Sequence, residues 1–180
     1  MRKYLLAVAN LFILTQAFTQ TQHKISTYLS AQYCNTIHDR TEGNNPWGIG
    51  AGLQAFYNNQ TKFKPSLELT ADGYLEDDKV LRVTIDGKEV NDVSSVINLF
   101  AGSAFCFSKQ FYISFSAGPS FINGNTYLGI KPSIGYYFSG RQKLGLKLSY
   151  INIFNREPNY EETKMENFGS INLALSFKLF

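Results

Sequence analysis

The sequence is most informative in what it has little of. Only 17% of its 180 residues are charged, and it holds five prolines, two cysteines, two histidines and one tryptophan. Low charge combined with 44% hydrophobic and 15% aromatic residues excludes a disordered chain, which is polar and charge-rich. The two cysteines, Cys34 and Cys106, could in principle bridge in an oxidising compartment, but two free thiols are expected from the topology below. No run of about 20 apolar residues occurs that could cross a bilayer as a helix. The net charge of +3 is small and Arg2 and Lys3 supply much of it, so the remainder carries no electrostatic footprint for nucleic acid. Length alone bounds the chain to one domain.

What is present begins with a targeting pattern. Met1, Arg2 and Lys3 form a basic start, residues 4–14 an apolar core, and Thr15 and Ala17 place small residues before a cut. A signal peptide over residues 1–20 is expected, with cleavage between Ala17 and Gln20, leaving residues 21–180 as the mature domain. No Cys follows the cut, so a lipid anchor is not expected there.

The rest of the chain is organised by a period of two. From Phe168 to Phe180, Ile171, Leu173, Leu175, Phe177 and Leu179 alternate with Asn172, Ala174, Ser176 and Lys178. Side chains alternate faces in a strand, so this is a ribbon with one apolar and one small or polar face. A flat ribbon ending the chain would be an open, aggregation-prone edge. Closure onto a first strand removes the edge, and Ile25 to Tyr33 has the matching alternation.

Between these ends the pattern repeats. Trp47 to Tyr57, Phe63 to Ala71, Ser94 to Phe107, Phe111 to Phe121, a sixth segment ending at Phe138, and Leu144 to Tyr150 all read as strands, for eight in total. Asn123-Gly124 is a type I′ hairpin signal, because both central residues of that turn need positive φ. Zipping from it sets Phe121 opposite Thr126, Pro119 opposite Leu128 and Phe115 opposite Pro132. Asp86-Gly87 is a second such turn. It predicts an exposed β-ribbon of Val80, Arg82, Asp86, Gly87 and Lys88, with Ile85 opposite Lys88 and Phe63 opposite Gln110. That register needs one β-bulge, placed at Glu76, Asp77 and Asp78, to keep Leu67 and Leu69 on the face of Ile97, Leu99 and Phe105. Short connections (58–61, 108–110, 139–143) alternate with generally longer ones (34–46, the ribbon, 155–167), the asymmetry of transmembrane barrels with tight periplasmic turns.

The segment from Pro132 to Phe138 and the terminal strand from Ser170 to Phe180 resemble the porin-like outer-membrane β-barrel proteins of Gram-negative bacteria, within the OmpA/OmpX-like class. The resemblance covers nearly the whole mature chain. It implies an all-β, eight-stranded antiparallel up-and-down transmembrane barrel in the outer membrane, with loops outside and both termini periplasmic. It also implies recognition of the stretch from Phe168 to Phe180 by the barrel-assembly machinery. Phe180 directly follows Leu179, so the apolar row stands one place off the usual terminal aromatic.

On this reading Glu68, Lys131, Lys147 and Lys178 face the interior with Gln54 and Asn98. An eight-stranded bore is just wide enough for side chains to fill, and an unpaired buried charge is costly, so Glu68 is expected to pair with Lys131 or Lys147. Outward aromatics fall into two belts: Tyr57, Phe63, Phe107, Phe111 and Phe138 near the short turns, and Tyr33, Trp47, Phe121 and Tyr150 at the other rim, where rings prefer headgroup depth. Cys34 and Cys106 belong to opposite ends, beyond disulfide reach.

No catalytic reading is favoured. His38-Asp39 sits in a polar stretch and His23 in the amino-terminal tail, with no Ser/His pairing at strand positions and no metal-ligand spacing. No cofactor or metal is expected. Asp77-Asp78 and Glu161-Glu162 are solvated charges that could meet lipopolysaccharide through divalent cations. The expected function is a monomeric structural or surface-interaction barrel, contacting membrane lipid and lipopolysaccharide, whose ribbon can capture an extracellular protein by strand addition. A narrow pore for small solutes and a periplasmic lipocalin-like binder are the alternatives.

Overall fold

The computed structural model describes residues 24–38, 47–74, 95–122, 124–156 and 166–180. Eight strands follow one another: β1 (Ile25–His38), β2 (Trp47–Tyr57), β3 (Phe63–Tyr74), β4 (Ser95–Cys106), β5 (Phe111–Ile122), β6 (Asn125–Tyr137), β7 (Leu144–Arg156) and β8 (Glu166–Lys178). Each pairs antiparallel with its sequence neighbours, and β1 pairs with β8 to close the barrel. Closure sets Leu29 against Phe177, Ala31 against Leu175 and Tyr33 against Leu173. The ladder continues past β8 through Leu179 N–H donating to Thr27 O at 2.7 Å. Strands of 11 to 14 residues exceed the 9–11 or so that a tilted membrane strand needs.

Alternation decides what lies inside. Along β3, Glu68, Thr70, Asp72 and Tyr74 are buried while Leu67 and Leu69 are exposed. Along β8, Asn172, Ala174 and Ser176 are buried while Leu173, Leu175 and Phe177 are exposed. The sheet is thus inverted relative to a water-soluble barrel, with aliphatic and aromatic side chains on its outer face.

The β5–β6 hairpin has the register expected from Asn123-Gly124, from Ile122 opposite Asn125 down to Ile113 opposite Ile134. Gly124 takes φ +82°, the left-handed conformation this turn demands. The β3–β4 register differs from expectation. Phe63 pairs with Phe105, not Gln110, and Leu69 with Leu99. Zipping outward from Asp86-Gly87 with a single bulge therefore misplaces the barrel part of the pair by several residues. The parity requirement survives, since Leu67 and Leu69 do share the outer face with Ile97 and Leu99. The outward alternation fixes which residues share a face, and among registers of that parity the closed barrel takes this one. The ribbon residues Val80, Arg82, Asp86, Gly87 and Lys88, the bulge at Glu76 to Asp78, and the signal segment 1–20 lie outside the described residues.

Two strand ends also run further than expected. Cys34, read as the start of a loop, is a fully buried strand residue of β1, which extends to His38. β7 runs to Arg156, with a register shift against β8 between Ile153 and Arg156 and Asn155 at φ +54°. In both cases pairing with β8 carries the strand on, Cys34 opposite Asn172 and Arg156 opposite Glu166.

Candidate functional site

The chemistry-bearing side chains converge in the lumen, which is filled in three layers. The middle layer is ionic. Glu68 on β3 accepts hydrogen bonds at one oxygen, Oε1, from Lys131 Nζ of β6 at 2.7 Å and from Lys147 Nζ of β7 at 2.6 Å. Lys147 Nζ also donates to Gln54 Oε1 at 2.9 Å. Gln54 is the direct cross-strand partner of Glu68 on β2. Neither lysine strand neighbours β3, so these bonds cross the bore. Lys131 is 0% and Lys147 2% exposed, so both ammonium groups are shielded from bulk solvent. Sequence placed Glu68, Lys131, Lys147 and Lys178 together. The structure brings the first three into one cluster and leaves Lys178 half-buried beside Tyr28 at the turn end.

Toward the turn end the lumen is closed by aromatics. Tyr28, Phe56, Tyr112 and Tyr137 form a ring of four, each touching two others, with centroids 5.3 to 5.7 Å apart. Edge-to-face and tilted geometries at these distances are favourable for ring quadrupoles. Below them lies a depression of about 10 Å³, lined by Ser26, Asn58 and Lys64 among others. Gly135 makes room for this plug, since a Cβ there would run into the Tyr112 ring.

Toward the loop end the third layer is polar next to the ionic cluster and apolar beyond it. Asn98 Nδ2 donates to Thr70 Oγ1 at 3.1 Å, and Ser120 Oγ donates to Asn98 Oδ1 at 2.6 Å. Asp72 accepts from Gln32 Nε2, from Cys34 Sγ at 3.3 Å and from Asn172 Nδ2 at 3.4 Å. Ser170 Oγ donates to Asn172 Oδ1 at 2.6 Å, and Tyr74 O–H to Ser170 Oγ at 3.2 Å. Val96, Phe100, Ile122, Ile151, Ile153 and Phe168 then close the bore around Cys34 and Tyr74. Phe168 meets Tyr74 edge-on at 5.7 Å.

Asp72 was not singled out from the sequence, although a signal existed: it is two inward positions beyond Glu68 on the same strand. With it, two acids and two lysines balance in the described interior. Both lysines sit on Glu68, while Asp72 is held by neutral donors. No cluster of three or more His, Cys, Asp or Glu that could hold a metal occurs among the described residues. Cys34 and Cys106 are free, Cys34 in the loop-end cluster and Cys106 packed on the turn-end aromatics.

The outer wall has a different chemistry. Leu53, Leu67, Leu69, Leu99, Ile113 and Phe115 are all exposed, the last at 56%. An apolar surface that encircles the molecule is far beyond the few hundred Å² a soluble monomer exposes. Pro132 interrupts the β6–β7 ladder, which pairs Ile130 with Asn152 and resumes at Ser133 with Ser149. An apolar depression of about 740 Å³ opens on the wall there, lined by Ile113, Phe115, Pro132, Ile134 and Leu148. Aromatic rings mark the two rims. Phe63, Phe105 and Phe107 meet in series, tilted and then edge-on, at 4.8 and 4.9 Å, Phe111, Tyr136 and Phe138 likewise at 4.7 and 5.7 Å, and Tyr33 stacks on Trp47 at the opposite rim at 6.4 Å. Only a closed barrel or a helix satisfies every backbone group in hydrocarbon, and no helix among the described residues is long and apolar enough to cross.

No protein-family model matches the chain, and no curated protein sequence matches it. Solved structures do. The outer-membrane protein Ail of Yersinia pestis, in a phospholipid bilayer nanodisc, aligns over 86% of this chain and 99% of its own with 12% identity and a TM-score of 0.54. Neisserial surface protein A aligns over 87% of this chain and 97% of its own with 12% identity and a TM-score of 0.50. At such identity the likeness is one of architecture. The chain has the fold of the small eight-stranded outer-membrane β-barrels.

Proposed function

We propose that this chain is an integral outer-membrane barrel with a structural or surface-interaction role, its longer connections outside and both termini periplasmic. The observation that carries the reading is the combination of an apolar outer wall with a lumen closed in three layers. A barrel built as a conduit would leave a bore; here the Glu68 cluster lies between two plugs. The same filling argues against the alternative of a periplasmic binder, which needs a cavity for its ligand. The thiol that meets a carboxylate in the lumen, Cys34 on Asp72, is fully buried among packed side chains, which supports a non-enzymatic role.

The outward connections are the natural contact surface. The segment 75–94, with its Asp86-Gly87 turn signal, is suited to capture an extended partner by strand addition. Acidic pairs such as Asp77-Asp78 and Glu161-Glu162 suit divalent-bridged contact with lipopolysaccharide, and β8 is the end offered to the assembly machinery.

Two measurements test the core of this. Membrane-extracted protein run unheated and boiled should show the mobility shift of a folded barrel; a soluble binder would show none. In planar bilayers the wild-type chain should give no discrete conductance steps. Regular steps from the unmodified protein would overturn the closed-lumen reading. Deleting residues 80–90 should leave the heat-modifiable band intact while abolishing any surface partner bound by that segment.

A further inference from the structure

The two ends of the barrel differ sharply in charge. Of the 14 acidic residues, Glu68 and Asp72 face the lumen. Every other one falls in the segments 39–46, 75–94 and 157–165, which connect strands at the loop end, or at Glu166 where β8 begins. At the turn end no acidic side chain occurs among the described residues. That end is basic instead. Lys24 precedes β1, Lys62 lies in the β2–β3 turn, Lys109 in the β4–β5 turn, and Arg141 and Lys143 in the β6–β7 turn, all exposed. Lys64 and Lys178 add two half-buried cations at the mouth.

The arrangement is a ring. Each connection at this end contributes at least one cation, so the charge follows the whole circumference and does not gather on one face. Immediately adjacent runs the belt of Phe63, Phe105, Phe107, Phe111, Tyr136 and Phe138, whose rings mark headgroup depth. Cations held in a circle with no opposing side chains repel each other unless a counter-charge is supplied. A planar leaflet of anionic headgroups supplies one to every turn at once, which a groove-seeking polymer or a one-sided protein partner would not. The aromatic plug closes the mouth, so the anion is met on the rim and not inside.

We propose that the turn-end rim binds the phosphate-bearing headgroups of anionic phospholipids in the leaflet that faces it. The proposal rests on the membrane reading above. Folded barrel would be reconstituted in phosphatidylcholine vesicles containing spin-labelled phosphatidylglycerol or spin-labelled phosphatidylcholine, and the motionally restricted fraction of each measured. At a rim site a roughly fivefold preference for phosphatidylglycerol is expected, corresponding to about 1 kcal/mol for one cation near an anionic surface. It should vanish at about 1 M salt, where the screening length is about 3 Å. It should also vanish in the combined variant Lys24→Gln, Lys62→Gln, Lys109→Gln, Arg141→Gln and Lys143→Gln. All five side chains are exposed and outside the strands, so the heat-modifiable band should be unchanged. Equal restriction of both lipids by the folded wild type, or undiminished preference in the folded variant, overturns the assignment. Binding of soluble polyglutamate through the same five cations with no lipid preference overturns it in favour of an acidic soluble partner. A chain that never acquires the folded, membrane-inserted band overturns this proposal and the membrane reading together, whereas a folded barrel without preference overturns this one alone.

Discussion

Replacing Glu68 with Gln tests the interior most directly, because one oxygen holds two buried ammonium groups. Each Lys–Glu contact, at 2.6 to 2.7 Å, has a gross Coulomb attraction of about 6 kcal/mol at an effective dielectric constant of about 20. Most of that is offset by the desolvation of three ions and by repulsion between the two lysines. The substituted amide would keep the shape and a carbonyl acceptor but remove the charge, leaving both lysines desolvated without a carboxylate in contact. Removing one partner of a buried pair costs about 3–5 kcal/mol, and the doubly used Glu68 belongs at the upper end. Lys147→Met should cost less, about 1–2 kcal/mol, because Lys131 still neutralises Glu68 and the methylene stem is replaced. The double variant Glu68→Gln with Lys147→Met should be less destabilised than the sum of the two. The assay is urea unfolding of vesicle-inserted protein, followed by the heat-modifiable band and by Trp47 fluorescence. A Glu68→Gln cost below about 1 kcal/mol, or a Lys147→Met cost equal to it, would refute the shared-carboxylate account.

Further expectations follow from other layers. Gly102→Ala places a methyl group into the carbonyl oxygen of Phe115 and the Cα of Ser116 on β5, and backbone cannot yield as a side-chain tip can. A loss of about 1–3 kcal/mol in the same unfolding assay is expected, and a neutral result would contradict the close β4–β5 approach. Gly124→Ala, at φ +82°, should lose about 1–2 kcal/mol through the left-handed penalty, with folded-state mobility retained; a stabilising effect would be incompatible with this turn. Cys34 is fully buried and donates to Asp72, so maleimide should leave it unlabelled in the folded barrel and label both cysteines after unfolding. Intact-mass analysis after mild oxidation should find no intramolecular disulfide, and a bridge between Cys34 and Cys106 would show that the two do not lie at opposite ends.

The legibility of this fold in its sequence depended on how local each signal was. The β5–β6 register could be read because Asn123-Gly124 is adjacent to the residues it aligns and the lipid-facing row agrees with it. The β3–β4 register could not, because more than twenty residues separate Gly73 from Ser95 and any irregularity between them shifts the barrel pairing. Parity was still recoverable, since a wrong parity would turn Leu67 and Leu69 into the lumen. Cys34 and Thr36 read as loop because short polar residues are ambiguous outside a known interior; pairing with Asn172 and Ser170 of β8 makes them strand.

The candidate site was legible in kind and not in geometry. Interior charges announce themselves as Glu68, Lys131 and Lys147 on faces otherwise small and polar, and a full bore demands that they pair. That both lysines choose the same oxygen, that Lys178 stays apart, and that Asp72 is kept by Gln32, Cys34 and Asn172 are outcomes of how the strands stagger around the closed sheet. The alternation of each strand depends only on its own residues and the solvent on either side, so sequence by itself determined the strand count, the lipid-facing rows and the inward set. Which inward residues share a level depends on the shear accumulated over eight registers, a property of the closed barrel that no single segment contains. Only the tertiary structure decided the three-layer filling, because cross-bore contacts join residues as far apart as Glu68 and Lys147 through space that exists only once β1 has met β8.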